Sequence, residues 1–325
     1  MMLDVRDLAV TYRTAGGVVK ALDSLTFSMK ENEIVALVGE SGCGKSTLGL
    51  AIIRLLPKRM ASINSGSILF KGTDLAKLTE KEMKNYRGNG IFMIFQEPIT
   101  ALNPVFTIER QIGECIRVRQ KRISNEGLTS KNVREEIVEV LRHVRIPDPE
   151  SILKRYPHEL SGGMRQRVMI GMALAAKPSL LIADEPTSAV DVTIQAEVIR
   201  LMRDLMKEVN TAILFITHDL GVAAGLAERV AVMYAGEIVE LADVDELFSK
   251  PLHPYTQGLL RSVPTGYIDD SELQAIEGAV PNLGSLPTGC KFHPRCPYAK
   301  SECKTSKPNV YEPQKNHHVA CMLYG

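Results

Sequence analysis

The chain has 325 residues, with 39 lysines and arginines against 38 aspartates and glutamates, so its net charge is only +1. That balance leaves no electrostatic footprint for nucleic acid, and 45% hydrophobic with 24% charged residues describes a folded globular protein, not a disordered or fibrous one. The length suits one large domain with appendages or two ordinary domains. No apolar run reaches the about 18 to 20 residues that span a bilayer; GIFMIF and VMIGMALAA are among the longest. MMLDVRDLAV lacks a signal-peptide pattern, so the chain is expected to stay in the cytoplasm, with any membrane role supplied by a partner.

LDVRDLAVTY, ALDSLTFSM and EIVALVG read as strands, and the third runs straight into GESGCGKST and the helix-like LGLAIIRLL. Strand, glycine-rich loop and helix in this order are what a phosphate-binding loop requires. The pattern G-x-x-x-x-G-K-S is complete at Gly39, Gly44, Lys45 and Ser46, and Ser41, Gly42, Cys43 and Thr47 fill out the stretch expected around a nucleotide. Glycines let successive N–H groups turn inward around a β-phosphate, and the helix that follows points its positive end at the same oxygens. Lys45 would then place a point charge on the β- and γ-phosphates, and the Ser46 hydroxyl would ligate magnesium. Cys43 occupies a free position of the loop and needs no special role.

LSGGMRQR, Leu160 to Arg167, sets two glycines before the helix-like MRQRVMIGMALAA, a second helix N-terminus with free backbone amides. One phosphate cannot readily use both. LLIADE follows, an apolar strand ending in Asp184 and Glu185. Such a strand delivers negative charge to the carboxyl edge of a parallel sheet, where α/β folds bind their ligands. Asp184 would hold magnesium, directly or through water, and Glu185 would orient or activate an attacking water.

LSGGMRQ resembles the signature of ABC-type ATPases, and other motifs of that family stand at matching positions. They are Gln96 in FMIFQEP, SAVD at Ser188 to Asp191, His218 in FITHD, and the aromatic Tyr12, 27 residues before Gly39. The resemblance over residues 1 to 240 implies an α/β fold, a P-loop NTPase of the ABC type with an antiparallel β subdomain and a helical subdomain inserted over about 97–165. It also implies two nucleotide domains meeting head to tail. Ser161, Gly162 and Gly163 would then bind the γ-phosphate on the partner's nucleotide, with Gln166 counted in the same nucleotide-contacting set. Tyr12 would stack on adenine. His218 would contact the γ-phosphate in its own subunit, and Gln96 would sense magnesium while coupling to a partner, so that Glu185, His218 and Gln96 form the expected catalytic set. Val190 stands where the family commonly has Leu in SALD, an apolar exchange that leaves the chemistry alone. Cys115, at helical spacing with apolar neighbours, reads as core.

QEPITALNP resembles the peptide-importer form of the glutamine loop, with Glu97 for Asp and Ala101 for Ser. HPYTQGLLRSVP and the cysteine segment after it resemble the C-terminal region of ATP-binding subunits from oligopeptide and dipeptide importers, which extends the match to essentially the whole chain. This implies a peripheral subunit on the cytoplasmic face of the membrane that powers import of di- or oligopeptides by ATP-driven dimer closure. The implied partners are two membrane-spanning permease subunits, a second ABC ATPase that family habit makes a homologue, and indirectly an extracellular solute-binding protein. Relatives that carry nickel or sugars keep another small solute open. A soluble ABC ATPase of translation or DNA repair is the less favoured alternative, because neither a second nucleotide domain nor a long coiled-coil insertion is present.

Toward the C-terminus, RVAVMYAGEIVELA reads as a hairpin with Ala-Gly at the turn, and VDELFSK and HPYTQGLLRSV as two short helices. A nucleotide-binding domain over 1–250 and an extension over 251–325 are expected. From Val263 onward the chain is rich in Pro, Gly and polar residues, with too few apolar ones for a core of its own, so something else must order it. Four of the six cysteines lie here, Cys290, Cys296, Cys303 and Cys321, separated by 5, 6 and 17 residues. Disulfides suit an oxidising compartment, which a magnesium-ATP enzyme without a signal peptide does not share. Structural zinc draws on C-x2-4-C pairs closer than any here. Iron–sulfur clusters accept wider spacing, and Cys296-Pro297 matches the Pro after a ligand Cys in bacterial ferredoxins. The resemblance to peptide-importer subunits implies a [4Fe–4S] site on these four cysteines; zinc and unligated thiols stay open, as do His293, His317 and His318 as substitute ligands. Lys291, Arg295, Lys300 and Lys304 would offset the thiolate charge. A metal staple for the tail is expected over a redox sensor.

Overall fold

Strand β1 (Leu3–Thr14) alternates buried and exposed residues along its first half and pairs antiparallel with β2 (Gly17–Met29). By contrast β3 (Ile34–Val38) is buried at all five positions, as expected of an apolar run covered on both faces. Helix α1 (Lys45–Ile52) begins earlier and ends sooner than LGLAIIRLL suggests, because Arg54 takes a left-handed backbone at φ 53°. Strands β4 (Ala61–Phe70) and β5 (Thr73–Asp74) complete a four-stranded antiparallel sheet in the order β2-β1-β4-β5. Thr79 and Glu82 then form a capping box on α2 (Glu80–Met83), ahead of β6 (Ile91–Ile94). The computed structural model describes residues 1–96, 101–123, 130–187, 192–262 and 276–325.

Helices α3 (Ile108–Ile123), α4 (Ser130–His143), α5 (Pro149–Ile152) and α6 (Gly162–Ala176) fill the described part of the segment after Gln96. Ile108, Ile112 and Ile116 recur at helical spacing and pack with Ile137, Leu141 and Ile170; Cys115 lies partly buried against this core, its thiol pushed up to about 12 by burial. The chain then alternates β7 (Leu180–Asp184), α7 (Val192–Glu208), β8 (Ala212–Thr217), α8 (Leu220–Leu226) and β9 (Arg229–Tyr234), and turns through Ala235 and Gly236 into β10 (Glu237–Asp243). Both turn residues have positive φ, 44° and 85°, the combination of a tight twisted hairpin. Gly236 is obligatory there, since a Cβ would stand 2.7 Å from the Ala21 carbonyl oxygen. Helices α9 (Val244–Ser249), α10 (Pro254–Arg261) and α11 (Ser301–Thr305) precede β11 (Tyr311–Gln314) and β12 (His317–Val319).

The second sheet runs β11-β12-β10-β9-β3-β8-β7-β6, with β6, β7, β8, β3 and β9 mutually parallel. Its central strands send alternate side chains to two cores: Ile34, Ala36 and Val38 join the helical side, while Val35 and Leu37 join the core shared with β1 and β2. Each fully buried aliphatic side chain contributes about 1.5–3 kcal/mol. Among the described residues no helix is long and apolar enough to cross a membrane.

The tail is ordered by the main sheet itself. Strand β12 adds antiparallel to β10, pairing Val319 with Glu240 and His318 with Leu241, and β11 adds outside it. Phe292, 2% exposed, enters an aromatic cluster with Tyr234, Tyr255 and His253 at ring separations of 5.2, 5.4 and 5.7 Å. The expected roles of two basic residues change accordingly. Lys291 does not neutralise the thiols; it pairs with Asp23 at 2.9 Å and Glu237 at 3.0 Å. Arg295 pairs with Glu40 at 2.8 Å. Buried cations need carboxylate partners, and β2, β10 and the loop after β3 supply them. Lys300 does bear on the set, its charge favouring the Cys321 thiolate against burial.

Candidate functional site

The phosphate-loop residues, Gln96, the two acids and His218 lie at the carboxyl ends of the parallel strands. Loop 39–44 leaves β3 and Gln96 follows β6, while Asp184 and Glu185 end β7 and His218 follows β8. Gly44 stands at the N-cap of α1 with φ 112°, a conformation that favours glycine. Lys45, 5% exposed, folds back so that Nζ donates to the carbonyls of Gly39 at 2.8 Å and Glu40 at 3.0 Å. Cys43 is fully buried beneath the loop, with its thiol raised chiefly by burial. Ser41 and Gly42 are exposed at its outer rim. Tyr12 is half-buried, its hydroxyl 3.4 Å from Thr47 Oγ1, which puts the aromatic ring beside the start of α1.

Ser46 Oγ donates to Asp184 Oδ1 at 3.1 Å. Burial, together with the charge of Glu185, pushes the Asp184 carboxyl above its usual range, against the Ser46 hydrogen bond and Lys45. A buried carboxylate beside a hydroxyl is a hard-oxygen pair that suits a divalent cation such as magnesium. Glu185 is held from both sides: Gln96 Nε2 donates to Oε2 at 2.9 Å, and His218 Nδ1 lies 3.2 Å from Oε1. Its backbone takes φ 44°, which costs a non-glycine residue about 1–2 kcal/mol. The Glu185 amide donates to the Ile216 carbonyl at 2.9 Å, fixing that strained turn against β8.

The second glycine-bearing helix N-terminus is separate in character. Ser161 caps α6, its Oγ accepting from the Met164 amide at 3.3 Å, and Ser161 and Gly162 are exposed with Gly163 half-buried. Gln166 departs from this group. It is 1% exposed, and neither amide atom finds a partner among the described residues, because the helical turn carries it inward. The SAVD stretch, Ser188 to Asp191, Glu97 of the glutamine loop and residues 263–275 lie outside the described residues.

In the tail all four cysteines are free thiols, Cys303 and Cys321 buried, Cys290 and Cys296 half-buried. Burial first, then the charges of Cys303, Cys321 and Cys296, push the Cys290 thiol up to about 11, so the four side chains lie within electrostatic reach of one another. Among the described residues no group of three or more His, Cys, Asp or Glu side chains is arranged to hold a metal ion. His317 is taken: its Nε2 lies 2.7 Å from Glu240 Oε1. His293 Nδ1 contacts the Cys290 carbonyl at 2.9 Å. Sequence reasoning missed Glu40 and Glu240, whose only signal was a charge in a glycine-rich loop and a charge between apolar residues of a strand.

Comparison with known proteins adds two family matches: "ABC transporter" over residues 22–188, and "Oligopeptide/dipeptide transporter, C-terminal region" over 239–303. A probable peptide ABC transporter ATP-binding protein of Sinorhizobium fredii is 50% identical over 322 residues, 99% of this chain and 94% of the relative. The oligopeptide transport ATP-binding protein OppD of Bacillus subtilis is 49% identical over 323 residues, covering 99% and 88%, and the dipeptide transport protein DppD of that organism is 46% identical over 322, covering 99% and 94%. Among solved structures, the ATP-binding cassette MJ0796, a dimer in a post-hydrolysis state bound to ADP and Pi, superimposes with TM-score 0.66 at 26% identity, covering 75% of this chain and 99% of the cassette.

Proposed function

This chain belongs to the ABC transporter family, and from that premise we propose that it is the ATP-hydrolysing subunit of a peptide importer, driving di- or oligopeptides through partner membrane subunits. The observation that carries the reading is the sharing of the Glu185 carboxylate by Gln96 and His218 beside the Ser46–Asp184 pair. Backbone amides of residues 39–44, with Lys45, would hold the β- and γ-phosphates, and Tyr12 would lie against adenine. Ser46 and Asp184 would hold magnesium, with Gln96 sensing it; the ion supplies charge neutralisation on the phosphates. Glu185 would take the proton of the attacking water, and His218 would contact the γ-phosphate.

The helix N-terminus at Ser161–Gly163, with Ser161 and Gly162 exposed, suits a nucleotide held by a second ATPase domain facing this one. ATP would then close a head-to-tail dimer and hydrolysis would reopen it. Gln96 contacts the Glu185 carboxylate and precedes the helical segment in the chain, so permease contacts on that segment would be felt at Glu185. The second ATPase is proposed to be a homologue, with an extracellular solute-binding protein delivering cargo to the permeases and this subunit docked at their cytoplasmic face. Residues 1–250 would form the nucleotide-binding domain and 251–325 the extension.

The iron–sulfur reading of Cys290, Cys296, Cys303 and Cys321 rests on their spacing and on an all-thiolate donor set, not on a ready-made cage. These four cysteines would hold either a [4Fe–4S] cluster or one zinc ion, and the metal would tie the tail together. Iron, sulfide and zinc assays on anaerobically purified protein decide it: zinc alone would replace the cluster, and no metal would leave the thiols unligated.

Reconstitution with the permease subunits in liposomes tests the whole reading. ATP-dependent uptake of labelled di- and oligopeptides, lost with Glu185→Gln, is expected. Uptake of nickel without peptides would overturn the substrate.

A further inference from the structure

The segment between Cys290 and Cys296 grips the phosphate-binding loop from behind. Arg295, its side chain 5% exposed, places Nη1 2.8 Å from Glu40 Oε2 and Nη2 3.1 Å from Glu40 Oε1, a two-pronged pair spanning 255 residues of sequence. Its remaining N–H groups reach the Tyr234 hydroxyl at 3.4 Å and the carbonyls of Ile276 at 3.4 Å and Glu277 at 3.1 Å, so all five donors are used. Glu40 in turn is held at three points. Its carboxylate takes Arg295, its amide donates to the buried Tyr255 hydroxyl at 3.0 Å, and its carbonyl receives Lys45 Nζ at 3.0 Å.

A second link starts four residues earlier. Lys291, 6% exposed, donates from Nζ to the Ala235 carbonyl at 2.9 Å, and the next residue, Gly236, donates its amide to the Cys43 carbonyl at 2.8 Å. Thus one short tail segment supports both Glu40 and Cys43, either side of the turn whose amides must converge on phosphate. Arg295 offsets the charge of Glu40, so this carboxylate takes less from the loop's attraction for phosphate oxygens.

We propose that Arg295 is a positioning residue for nucleotide binding: through Glu40 it holds the phosphate-binding loop in its binding shape, making the cysteine-bearing tail part of the nucleotide site. This rests on the reading of Gly39–Ser46 as a nucleotide loop. A tail that only anchored itself on the core would need neither the paired fork on Glu40 nor the support of Cys43.

Full-length wild type, Arg295→Met, Glu40→Gln, the double variant and Arg295→Lys are compared by calorimetric titration with MgADP and a non-hydrolysable ATP analogue, and by steady-state ATPase kinetics. Each single change is expected to raise Kd and KM about three- to thirtyfold, with kcat changed less than about twofold. The double variant should be no worse than the worse single, and Arg295→Lys should recover part of the affinity. Wild-type nucleotide affinity in Arg295→Met with a lowered Tm, or strictly additive effects, overturns the proposal. Should Arg295→Met not fold, Glu40→Gln decides, since it leaves the tail's arginine in place. Failure of the wild type to bind nucleotide would instead overturn the loop's assignment.

Discussion

His317 Nε2 lies 2.7 Å from Glu240 Oε1, with the two side chains 1% and 0% exposed, at the join between tail strand β12 and core strand β10. Glu240 also accepts from the amides of Leu252 at 2.7 Å and His253 at 2.8 Å. One carboxylate therefore ties together the sheet, the approach to α10 and the tail. Glu240→Ala would strand two buried donors and one half-buried one, and should destabilise the chain by about 3–5 kcal/mol. Urea denaturation measures it, and limited proteolysis should release the tail first; an unchanged midpoint would remove Glu240 as the anchor.

Hydrolysis should depend on Glu185 far more than binding does. Glu185→Gln keeps an amide able to meet Gln96 and His218 but cannot take a proton, so ATP turnover should fall about 10²–10⁴-fold while ATP affinity holds. Equal loss of both would mean that the carboxylate shapes the pocket and does not act on water.

Loop geometry gives a third expectation. A Cβ on Gly44 would stand 2.6 Å from the Ala21 carbonyl and 2.7 Å from Met233 Cε, at φ 112°. Gly44→Ala should therefore cost about 2–4 kcal/mol and abolish nucleotide binding, measured by thermal unfolding with and without MgADP. A variant whose Tm still rises on adding nucleotide would contradict this.

His253 should give the fold a pH dependence. Burial lowers its pKa from 6.5 to about 4, against the opposing charge of Glu240. Between those values the unfolded chain binds a proton that the folded chain refuses, so stability falls as pH drops from about 6.5 to about 4, by at most about 3 kcal/mol. Asp23 acts in a different window. Burial opposes its ionisation, but Lys291 and Lys20 outweigh it and hold the carboxyl at about 2; its contribution is present above about 4 and lost only below that. His253→Asn, which retains an acceptor for the Tyr255 amide, should flatten the urea midpoint between pH 6.5 and 4; an unaltered slope would exclude His253 as its source.

The local elements of the proposed nucleotide site were legible because their parts are contiguous. Residues 39–46 form strand, loop and helix within one stretch, Asp184 and Glu185 end one apolar run, and Ser161 caps its own helix; local backbone chemistry dictates each. The strands were legible as well, since a buried parallel run such as Ile34–Val38 has no polar residue to alternate. Gln166 belongs to its motif by position, while the 3.6-residue turn of α6 decides that it faces inward, a placement the motif does not encode.

What the sequence determined by itself was the chemistry on offer: a phosphate loop, a pair of acids, a second helix N-terminus and four thiols. Only the tertiary structure decided their partners. Glu185 lies 89 residues from Gln96 and 33 from His218, and Glu40 lies 255 from Arg295. Pairing at such separations follows from which strands neighbour one another in the sheet, and from the need of each buried charge for an opposite one. No local pattern encodes either, because both are satisfied only when the whole chain has closed around them.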